Sequence, residues 1–223
     1  MARSSCGLWL AALLLATTGC TTTSTQSLED VGPTYSPSNV SGARRWPGHV
    51  RRVAILPVAD ATATLPPAFL TTYDAPWSAA LQQSQRAEFV VVDRATYARW
   101  TGGPQAPASN ALLPSDWAQK ISAATGAEAA MLVEVTRCSP YAPLALGLRA
   151  KLIDLRTAEV LWAVDEVFDA ADPTVARAAR RHANPAPTPG LPKSQTTAGA
   201  VLQSPSQFAE YATTAIANML PVR

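Results

Sequence analysis

Three short apolar runs, separated by helical patterns, constrain the fold of this chain more than any other feature. They are RRVAILPVAD from residue 51, AEFVVVDR from residue 87 and AEAAMLVEVTR from residue 127. A continuous apolar run of this length is typical of a strand that is covered on both faces of a sheet. The sequence therefore predicts strands that alternate with helices, the helices lying in 68–85, 93–100 and 115–125.

Two further runs, 145–155 and 159–168, form the best hairpin candidate in the chain. Only Arg156, Thr157 and Ala158 separate them. In the first run, apolar residues at every second position alternate with Arg149 and Lys151, so we expect one face in the core and the other in water. This pair of strands extends the predicted sheet.

The helix boundaries carry their own signals. Ser115 is a good N-cap and Gly126 a good C-terminal residue for the third helix, while Pro76 is expected to interrupt the first. Ser204, Pro205 and Gln207 form a capping box ahead of apolar residues at helical spacing. The sequence thus predicts an α/β (α+β) chain with a single mixed sheet of about five strands, packed helices and a C-terminal amphipathic helix.

The N-terminus has the layout of a bacterial export signal in residues 1–19. Arg3 supplies positive charge, and the apolar core that follows is too short to span a bilayer. The stretch Ala16 to Cys20 resembles a lipoprotein lipobox, which implies diacylglycerol and palmitate on Cys20. Thr17 departs from the leucine that is usual in that motif. A simple secretory signal with Cys20 left as a free thiol remains the alternative.

The rest of the chain divides into a tether and one domain. Residues 20–49 are predicted as a flexible tether, and residues 50–223 as a periplasmic α/β domain with a Pro-rich insertion at about 184–205. Seventeen of the eighteen basic residues remain after residue 19, against sixteen acidic residues. A net charge near +1 gives no reason to expect a nucleic-acid partner.

No motif for catalysis, a cofactor or a metal is present in the sequence. His49 and His182 stand in no recognisable context, and Cys138 is expected to be a half-buried residue without a disulfide. A hydrolase would have to use a carboxylate without a visible partner, and loop or turn duty explains each candidate more simply: Asp60, Asp74, Asp93 and Asp154. We therefore predict no enzyme.

Two sets of residues could form a binding surface. Arg177, Arg180 and Arg181 lie in a predicted basic helix, 172–182, and could contact an anionic lipid headgroup, a glycan or an acidic protein. A solvated helix face is the plainer interpretation. Four tryptophans could line an interface, although core packing is the default for Trp77, Trp100, Trp117 and Trp162.

Short structural motifs carry a family resemblance over about residues 50–170. VAILPV (53–58), FVVVDR (89–94), ATGAEAAMLVEV (124–135) and LIDLRTAEVLW (152–162) resemble the superfamily of curli-secretion-channel lipoproteins and penicillin-binding-protein activators. Thr157-Ala158 departs from that family's usual Thr-Gly, which implies a less tight turn. The chain has no spare segment for the long membrane hairpins of a secretion pore.

The sequence therefore predicts a non-enzymatic, lipid-anchored protein that binds or regulates another cell-envelope component. The resemblance, together with Thr21 after Cys20, implies the periplasmic face of the outer membrane. An oligomeric assembly subunit of a secretion or appendage system and a hydrolase with an unrecognised site stay open as alternatives.

Overall fold

A computed structural model describes residues 32–103, 106–185 and 199–223. Its centre is one mixed sheet with the strand order β1-β7-β6-β5-β2-β4. The strands are β1 (Val40–Gly42), β2 (Arg52–Ile55), β3 (Ala59–Asp60), β4 (Glu88–Val91), β5 (Ala129–Ser139), β6 (Ala145–Asp154) and β7 (Val160–Asp169). The prediction of a single mixed sheet is confirmed, and the two strands beyond the expected five are the very short β1 and β3.

Parallel and antiparallel pairing divide the sheet. β2 lies parallel to β4 and β5, whereas β5, β6, β7 and β1 pair antiparallel in that order. The short β3 continues beside β5 after β2 has ended. The apolar runs predicted burial on both faces, which holds for β2 and most of β5 and is wrong for β4, an edge strand whose Val91 is 48% exposed. The predicted hairpin is β6 with β7.

Helices cover both faces of this sheet. On one face lie α1 (Pro67–Ser84), α4 (Pro173–Ala183) and α5 (Pro205–Ala217), whose buried residues join the larger core with Trp162 and Phe168. On the other face, α2 (Arg94–Thr101) and α3 (Trp117–Thr125) enclose a smaller core around Trp117 and Ile121. No helix among the described residues is long and apolar enough to cross a membrane.

Two local predictions for the helices are wrong. α1 runs through Pro76 without a break, because Tyr73 and Trp77 are buried on either side of it and exposed Thr72 lets water satisfy the carbonyl that Pro76 leaves unpaired. α3 begins one residue later than expected, with Asp116 rather than Ser115 at the N-cap. Gly126 does end α3 in the left-handed conformation.

The described part of the predicted tether packs against the domain instead of hanging free. Residues 40–42 are strand β1, and the preceding turn is bound by Glu166, which accepts hydrogen bonds from the Tyr35 hydroxyl and from the Ser38 and Asn39 N–H groups. Glu166 is only 7% exposed, so these donors compensate a buried charge. The predicted linker boundary at residue 49 is therefore wrong for residues 32–49, because their donors find a distant carboxylate that no local pattern reveals.

The C-terminal part follows the sequence prediction closely. Ser204 is the N-cap of α5, and Phe208, Tyr211, Ala212 and Ile216 are buried on its core face. The predicted Pro-rich insertion is shorter than expected at its end, since Ala200–Leu202 form a 3-10 turn whose Val201 is fully buried. Residues 186–198 of that insertion lie outside the described residues.

Candidate functional site

An open groove of about 860 Å³ lies at one end of the sheet. One wall is the outer face of α3, the other is the β6–β7 turn at residues 155–158, and His49 from the segment before β2 lies between them. The parallel strands begin at this end, and the hairpin turns here. The groove's volume falls within the range of about 300–1,000 Å³ that is usual for ligand sites.

A histidine and a carboxylate meet inside this groove. His49 Nε2 lies 2.6 Å from Asp154 Oδ2, and the Asp154 side chain is 3% exposed while that of His49 is 47% exposed. The other oxygen of Asp154 accepts hydrogen bonds from the Arg156 and Thr157 N–H groups. Asp154 therefore holds both the hairpin turn and the orientation of a half-exposed imidazole.

The electrostatics of Asp154 follow from these contacts. Burial alone would raise the pKa of this carboxyl, but the hydrogen bonds from the Arg156 N–H, His49 and the Thr157 N–H outweigh burial and lower the pKa below its ordinary value. Asp154 is thus ionised at neutral pH. An ionised Asp154 favours the tautomer in which His49 Nε2–H donates to it. In that tautomer Nδ1 is a hydrogen-bond acceptor, and no described residue binds it.

The second carboxylate in the groove, Glu128, is hydrogen-bonded through one of its two oxygens. Glu128 Oε2 accepts from the N–H groups of Arg51, at 3.2 Å, and Arg52, at 2.7 Å. Burial raises its pKa, whereas these two backbone hydrogen bonds lower it by more. Glu128 joins the start of β2 to the start of β5, and its negative charge forms no salt bridge with any described residue.

The turn that closes the groove is tight despite its alanine. Ala158 adopts a left-handed conformation with φ of 60°, and its N–H donates to the Asp154 carbonyl at 2.9 Å. Alanine here has the backbone geometry that a glycine would favour. The looser turn that the resemblance implied is not observed.

The three predicted basic residues lie on α4, at the other end of β7. Arg177 Nε donates to the Pro33 carbonyl at 2.9 Å, and an Arg181 nitrogen donates to the Gly32 carbonyl at 3.2 Å. These bonds position the N-terminal segment against α4. Arg180 lies on the same helix and is partly exposed. Cys20, the predicted lipidation site, lies outside the described residues.

The other predicted carboxylates have structural roles. Asp60 accepts from the N–H groups of Thr62 and Leu65, and Asp93 caps α2 through the Thr96 N–H. Asp74 accepts from the Val58 N–H and forms an ion pair with Arg94, at 2.8 Å. The expected loop or turn role is observed for Asp60, Asp93 and Asp154, whereas Asp74 lies within α1 and pairs with Arg94.

Aromatic and sulfur residues take the places that packing predicts. Trp77, Trp117 and Trp162 are buried, and Trp100 is partly buried against the smaller core. Cys138 is half-buried, with its sulfur 3.5 Å from the Tyr73 hydroxyl. Within the described ranges, no group of three or more His, Cys, Asp or Glu side chains could hold a metal ion.

Sequence reasoning missed the pairing of His49 with Asp154. The two residues are 105 positions apart, and no motif links them. The sequence indicated the turn role of Asp154. The contact of His49 with Asp154 depends on the order of the strands, which brings the segment before β2 next to the β6–β7 turn.

No protein-family model matches the chain, and no curated protein matches it either. The structure is similar to the PelC dodecamer from Paraburkholderia phytofirmans, at 13% identity and a TM-score of 0.45, over 85% of this chain and 95% of that one. Lipoprotein GNA1162 from Neisseria meningitidis is 18% identical with a TM-score of 0.35, over 53% and 79% of the two chains. The LpoB C-terminal domain from Salmonella enterica is 16% identical with a TM-score of 0.37, over 54% and 84%. Of these three, GNA1162 is described as a lipoprotein.

Proposed function

We propose that this protein is anchored by lipid at Cys20 to the periplasmic face of an outer membrane, and that it binds or regulates another envelope component without catalysing a reaction. The observation that carries the proposal is the route of the N-terminal segment. Residues 35–42 run along β7 and reach α4 at residues 32 and 33. The chain thus joins the domain at the end of β7 that lies farthest from the groove.

The docked segment sets how far the domain can stand from the lipid. Only residues 21–31 separate Cys20 from the described domain. Eleven residues span at most about 40 Å when fully extended, at 3.3–3.6 Å per residue. The tether is therefore shorter than the thirty residues expected from the sequence, and it keeps the domain close to the membrane.

The basic face of α4 lies beside the point where the tether joins. Arg177, Arg180 and Arg181 would then face anionic headgroups, each contributing about 1 kcal/mol near a charged membrane surface. Among the three ligands that the sequence left open, this position favours the lipid. A lipid chain plus a basic patch is also a stable combination for anchoring.

The opposite end of the sheet is free to meet a partner. The ten residues of β7 separate the two ends by about 30 Å, at roughly 3.3 Å per residue. The groove with His49 and Asp154 would point away from the membrane. This arrangement suits a protein that holds an envelope component at a fixed distance from its anchor.

Metabolic labelling tests the anchor. We expect a palmitate analogue to label the wild type and Cys138→Ala, but not Cys20→Ala, because Cys138 is half-buried in the domain. Crosslinking of the labelled protein in intact cells should then recover a reproducible envelope protein. Label that persists in Cys20→Ala, or that is absent from the wild type, would refute lipid anchoring.

Vesicle binding tests the orientation separately. Unlipidated Cys20→Ala protein should bind vesicles that contain phosphatidylglycerol more tightly than vesicles of phosphatidylcholine alone. Arg180→Glu should weaken that binding at least about fivefold, since each charge contributes about 1 kcal/mol. Arg99→Glu, on exposed α2, is the matched control. Equal losses in the two variants would contradict the orientation.

A hydrolase is the second candidate, and the His49–Asp154 pair is the observation in its favour. A carboxylate that orients a histidine whose other nitrogen faces a groove is the arrangement of a general base. If this function holds, His49→Gln should abolish turnover of a cell-wall or ester substrate while leaving the fold intact. Unchanged turnover in His49→Gln would eliminate it.

The PelC structure is described as a dodecamer of that protein. An oligomeric subunit, the remaining alternative from the sequence, is tested by the mass of the detergent-extracted chain. A single defined oligomer would support an assembly role. A monomer would exclude that role and leave the proposal of a protein that binds an envelope component.

A further inference from the structure

A second cleft, of about 420 Å³, lies beside β1 at the edge of the sheet. One wall is β1 with the residues that follow it, 40–44, and the other is the C-terminal segment 219–222. Trp162 also lines this space, and its Nε1 donates to the Met219 carbonyl at 3.2 Å, which holds the C-terminal segment against the sheet. We call this space the β1 cleft.

The outer edge of β1 carries backbone groups that do not bond to the sheet. The Asp165 N–H donates to the Asn39 carbonyl, and the Ala43 N–H donates to the Leu161 carbonyl, so alternate residues of this segment bond to β7. By this alternation, the N–H and C=O groups of Val40 and Gly42 point away from β7. Among the described strands β1 is the last on this side of the sheet, so its edge is open to one more strand.

The C-terminal segment already occupies part of that outer strand position. The Val222 N–H donates to the Arg44 carbonyl at 3.3 Å, and the Trp46 N–H donates to the Val222 carbonyl at 2.7 Å. This bridge of Val222 with Arg45 lies next to the residues that follow β1, but not next to β1 itself. The β1 cleft is therefore the unfilled part of a strand position that the protein uses elsewhere.

The charges around the β1 cleft are positive. Arg44 lines the cleft, whereas no carboxylate side chain does, and exposed Glu88 and Glu159 lie outside its lining. The exposed guanidinium groups of Arg44 and Arg45 bond to none of the described residues, and that of Arg223 donates to a neutral backbone carbonyl, at 2.6 Å. Even when the α-carboxylate of Arg223 is counted, the three arginines leave a net charge of +2.

We propose that the β1 cleft binds an extended segment of an envelope partner protein, which adds a strand to β1 and places a carboxylate at Arg44. Apolar side chains of that segment contact Leu220, Pro221 and Val222, of which Val222 is 54% exposed. The backbone edge binds the main chain of the segment, and the arginines select an acidic residue beside it. The proposal deepens the proposed function and rests on it only for the partner being an envelope protein.

The same observations disfavour other occupants of the β1 cleft. A lipid or a glycan has no strand backbone to continue the sheet. A second copy that paired Val40 with Gly42 across antiparallel β1 strands would place Ser38 opposite Arg44, which leaves the arginines without an acidic partner. The other edge of the sheet, β4, bears Glu88 with a side chain that is 63% exposed, so it suits an acidic segment less well.

Peptide binding to the lipidated full chain in detergent, measured by fluorescence anisotropy, tests the proposal. The probe is a symmetrical seven-residue peptide with valine at its second, fourth and sixth positions, serine between the valines and aspartate at both ends. We expect it to bind at least about tenfold more tightly than the same peptide with asparagine or lysine ends, because an ionised acceptor strengthens the hydrogen bonds of a guanidinium.

Backbone methylation of the probe tests strand pairing separately. One version carries N-methyl groups on its odd-numbered residues and another carries them on its even-numbered residues. Only alternate N–H groups of a strand face its neighbour, so we expect one version to lose at least about tenfold in affinity and the other to lose less than about threefold.

Matched variants of the protein locate the binding. Arg44→Glu should lower the affinity for the aspartate peptide at least about tenfold, and Arg99→Glu, on exposed α2, less than about twofold. Val222→Asp and Val91→Asp each place a carboxylate on an edge valine, 54% exposed at the β1 cleft and 48% exposed on β4. We expect Val222→Asp to weaken binding and Val91→Asp to leave it unchanged. Matching circular dichroism and melting temperatures would show that these variants fold.

Several results would overturn the proposal. Equal affinity for the aspartate, asparagine and lysine peptides, equal effects of the two methylation patterns, or a larger loss in Val91→Asp than in Val222→Asp would each do so. Absence of peptide binding, together with a dimer that Val222→Asp dissociates, would overturn it in favour of an interface between copies of this chain. Because peptide binding needs no acyl chain, failure of Cys20 labelling would refute the anchor and leave the peptide result standing.

Discussion

At each end of β7 a buried carboxylate accepts hydrogen bonds, but the space beside it is filled at one end and open at the other. At the end near α4, buried Glu166 accepts from the Ser38 and Asn39 N–H groups and the Tyr35 hydroxyl. At the groove end, buried Asp154 accepts from the Arg156 and Thr157 N–H groups and His49. Both are a buried charge stabilised by two backbone donors and one side chain.

The difference lies in what each carboxylate holds. Glu166 fixes a distant segment of the chain, so the space beside β7 is filled by the protein itself. Asp154 fixes a turn between neighbouring strands and one exposed imidazole, so the space beside it stays open. A buried carboxylate is therefore not by itself evidence of a ligand site, and the open volume next to it is what distinguishes the two ends.

Of the substitutions that test this difference between the two ends, one that disrupts β1 should lower the free energy of unfolding most. Gly42 has φ of 110°, and a Cβ at this position would overlap the Leu161 carbonyl oxygen and lie 2.7 Å from Trp162 Cα. We expect Gly42→Ala to lower the free energy of unfolding by about 2–4 kcal/mol and to release the segment before it. Urea denaturation and hydrogen exchange of residues 35–42 measure the two effects.

Gly48→Ala is the control for this variant, because a Cβ at Gly48 would meet no atom within 4 Å. It should change the free energy of unfolding by less than about 0.5 kcal/mol. Comparable destabilisation by the two substitutions would show that close packing of β1 on β7 is not the cause.

Weakening Glu166 should have the next largest effect, at the end of β7 near α4. Glu166→Gln removes the charge and one acceptor oxygen from a buried site that binds three donors, at a cost of about 1.5–3 kcal/mol. Burial raises the pKa of Tyr35 above its ordinary value, and the hydrogen bond to Glu166 raises it further. The variant should therefore lower the Tyr35 pKa, as seen in ultraviolet titration of tyrosinate. Glu159→Gln, on an exposed residue, should leave both quantities unchanged.

At the groove end, Asp154→Asn should produce a smaller loss that depends on pH. The pKa of Asp154 is lower in the folded chain than in the unfolded one, so its contribution is complete above the ordinary carboxyl pKa and is lost as pH falls through the folded value. We expect a loss of about 1–2 kcal/mol at pH 7, since the asparagine oxygen can still accept from the turn.

The difference between wild type and Asp154→Asn should shrink below about pH 4, near the ordinary pKa of aspartate. Urea denaturation at several pH values checks this behaviour. His49→Gln should cost less than about 1 kcal/mol at pH 7, because the histidine is half exposed. A difference between wild type and Asp154→Asn that does not change with pH would show that the charge of Asp154 is not the stabilising element.

Relaxing the turn should have the smallest effect, and with the opposite sign. Ala158→Gly removes the cost of a left-handed alanine, and we expect it to raise the free energy of unfolding by up to about 1 kcal/mol. Ala123→Gly, inside α3, should lower it by about 1 kcal/mol. Thermal unfolding that shows both substitutions lowering stability would mean that Ala158 is not strained.

The sequence predicted most elements but not their tertiary partners. The apolar runs, the β6–β7 pair and the core face of α5 follow from residues close together in the chain, because their signals are the periods of a strand and of a helix. The prediction of a free linker through residue 49 failed because Tyr35, Ser38 and Asn39 bond to a residue at least 127 positions away. The groove was missed for the same reason.

By itself, the sequence determined a mixed sheet with helices on it, since burial of apolar runs and local capping depend on neighbouring residues. Tertiary structure alone decided which carboxylate would meet which donor. Asp154 and Glu166 are both acidic residues near the ends of strands. Their neighbours in the chain do not indicate that Asp154 lies beside an open groove or that Glu166 binds the segment before β1. The strand order β1-β7-β6-β5-β2-β4 brings residues 32–49 along β7, and that route fills one end of the sheet and leaves the other open.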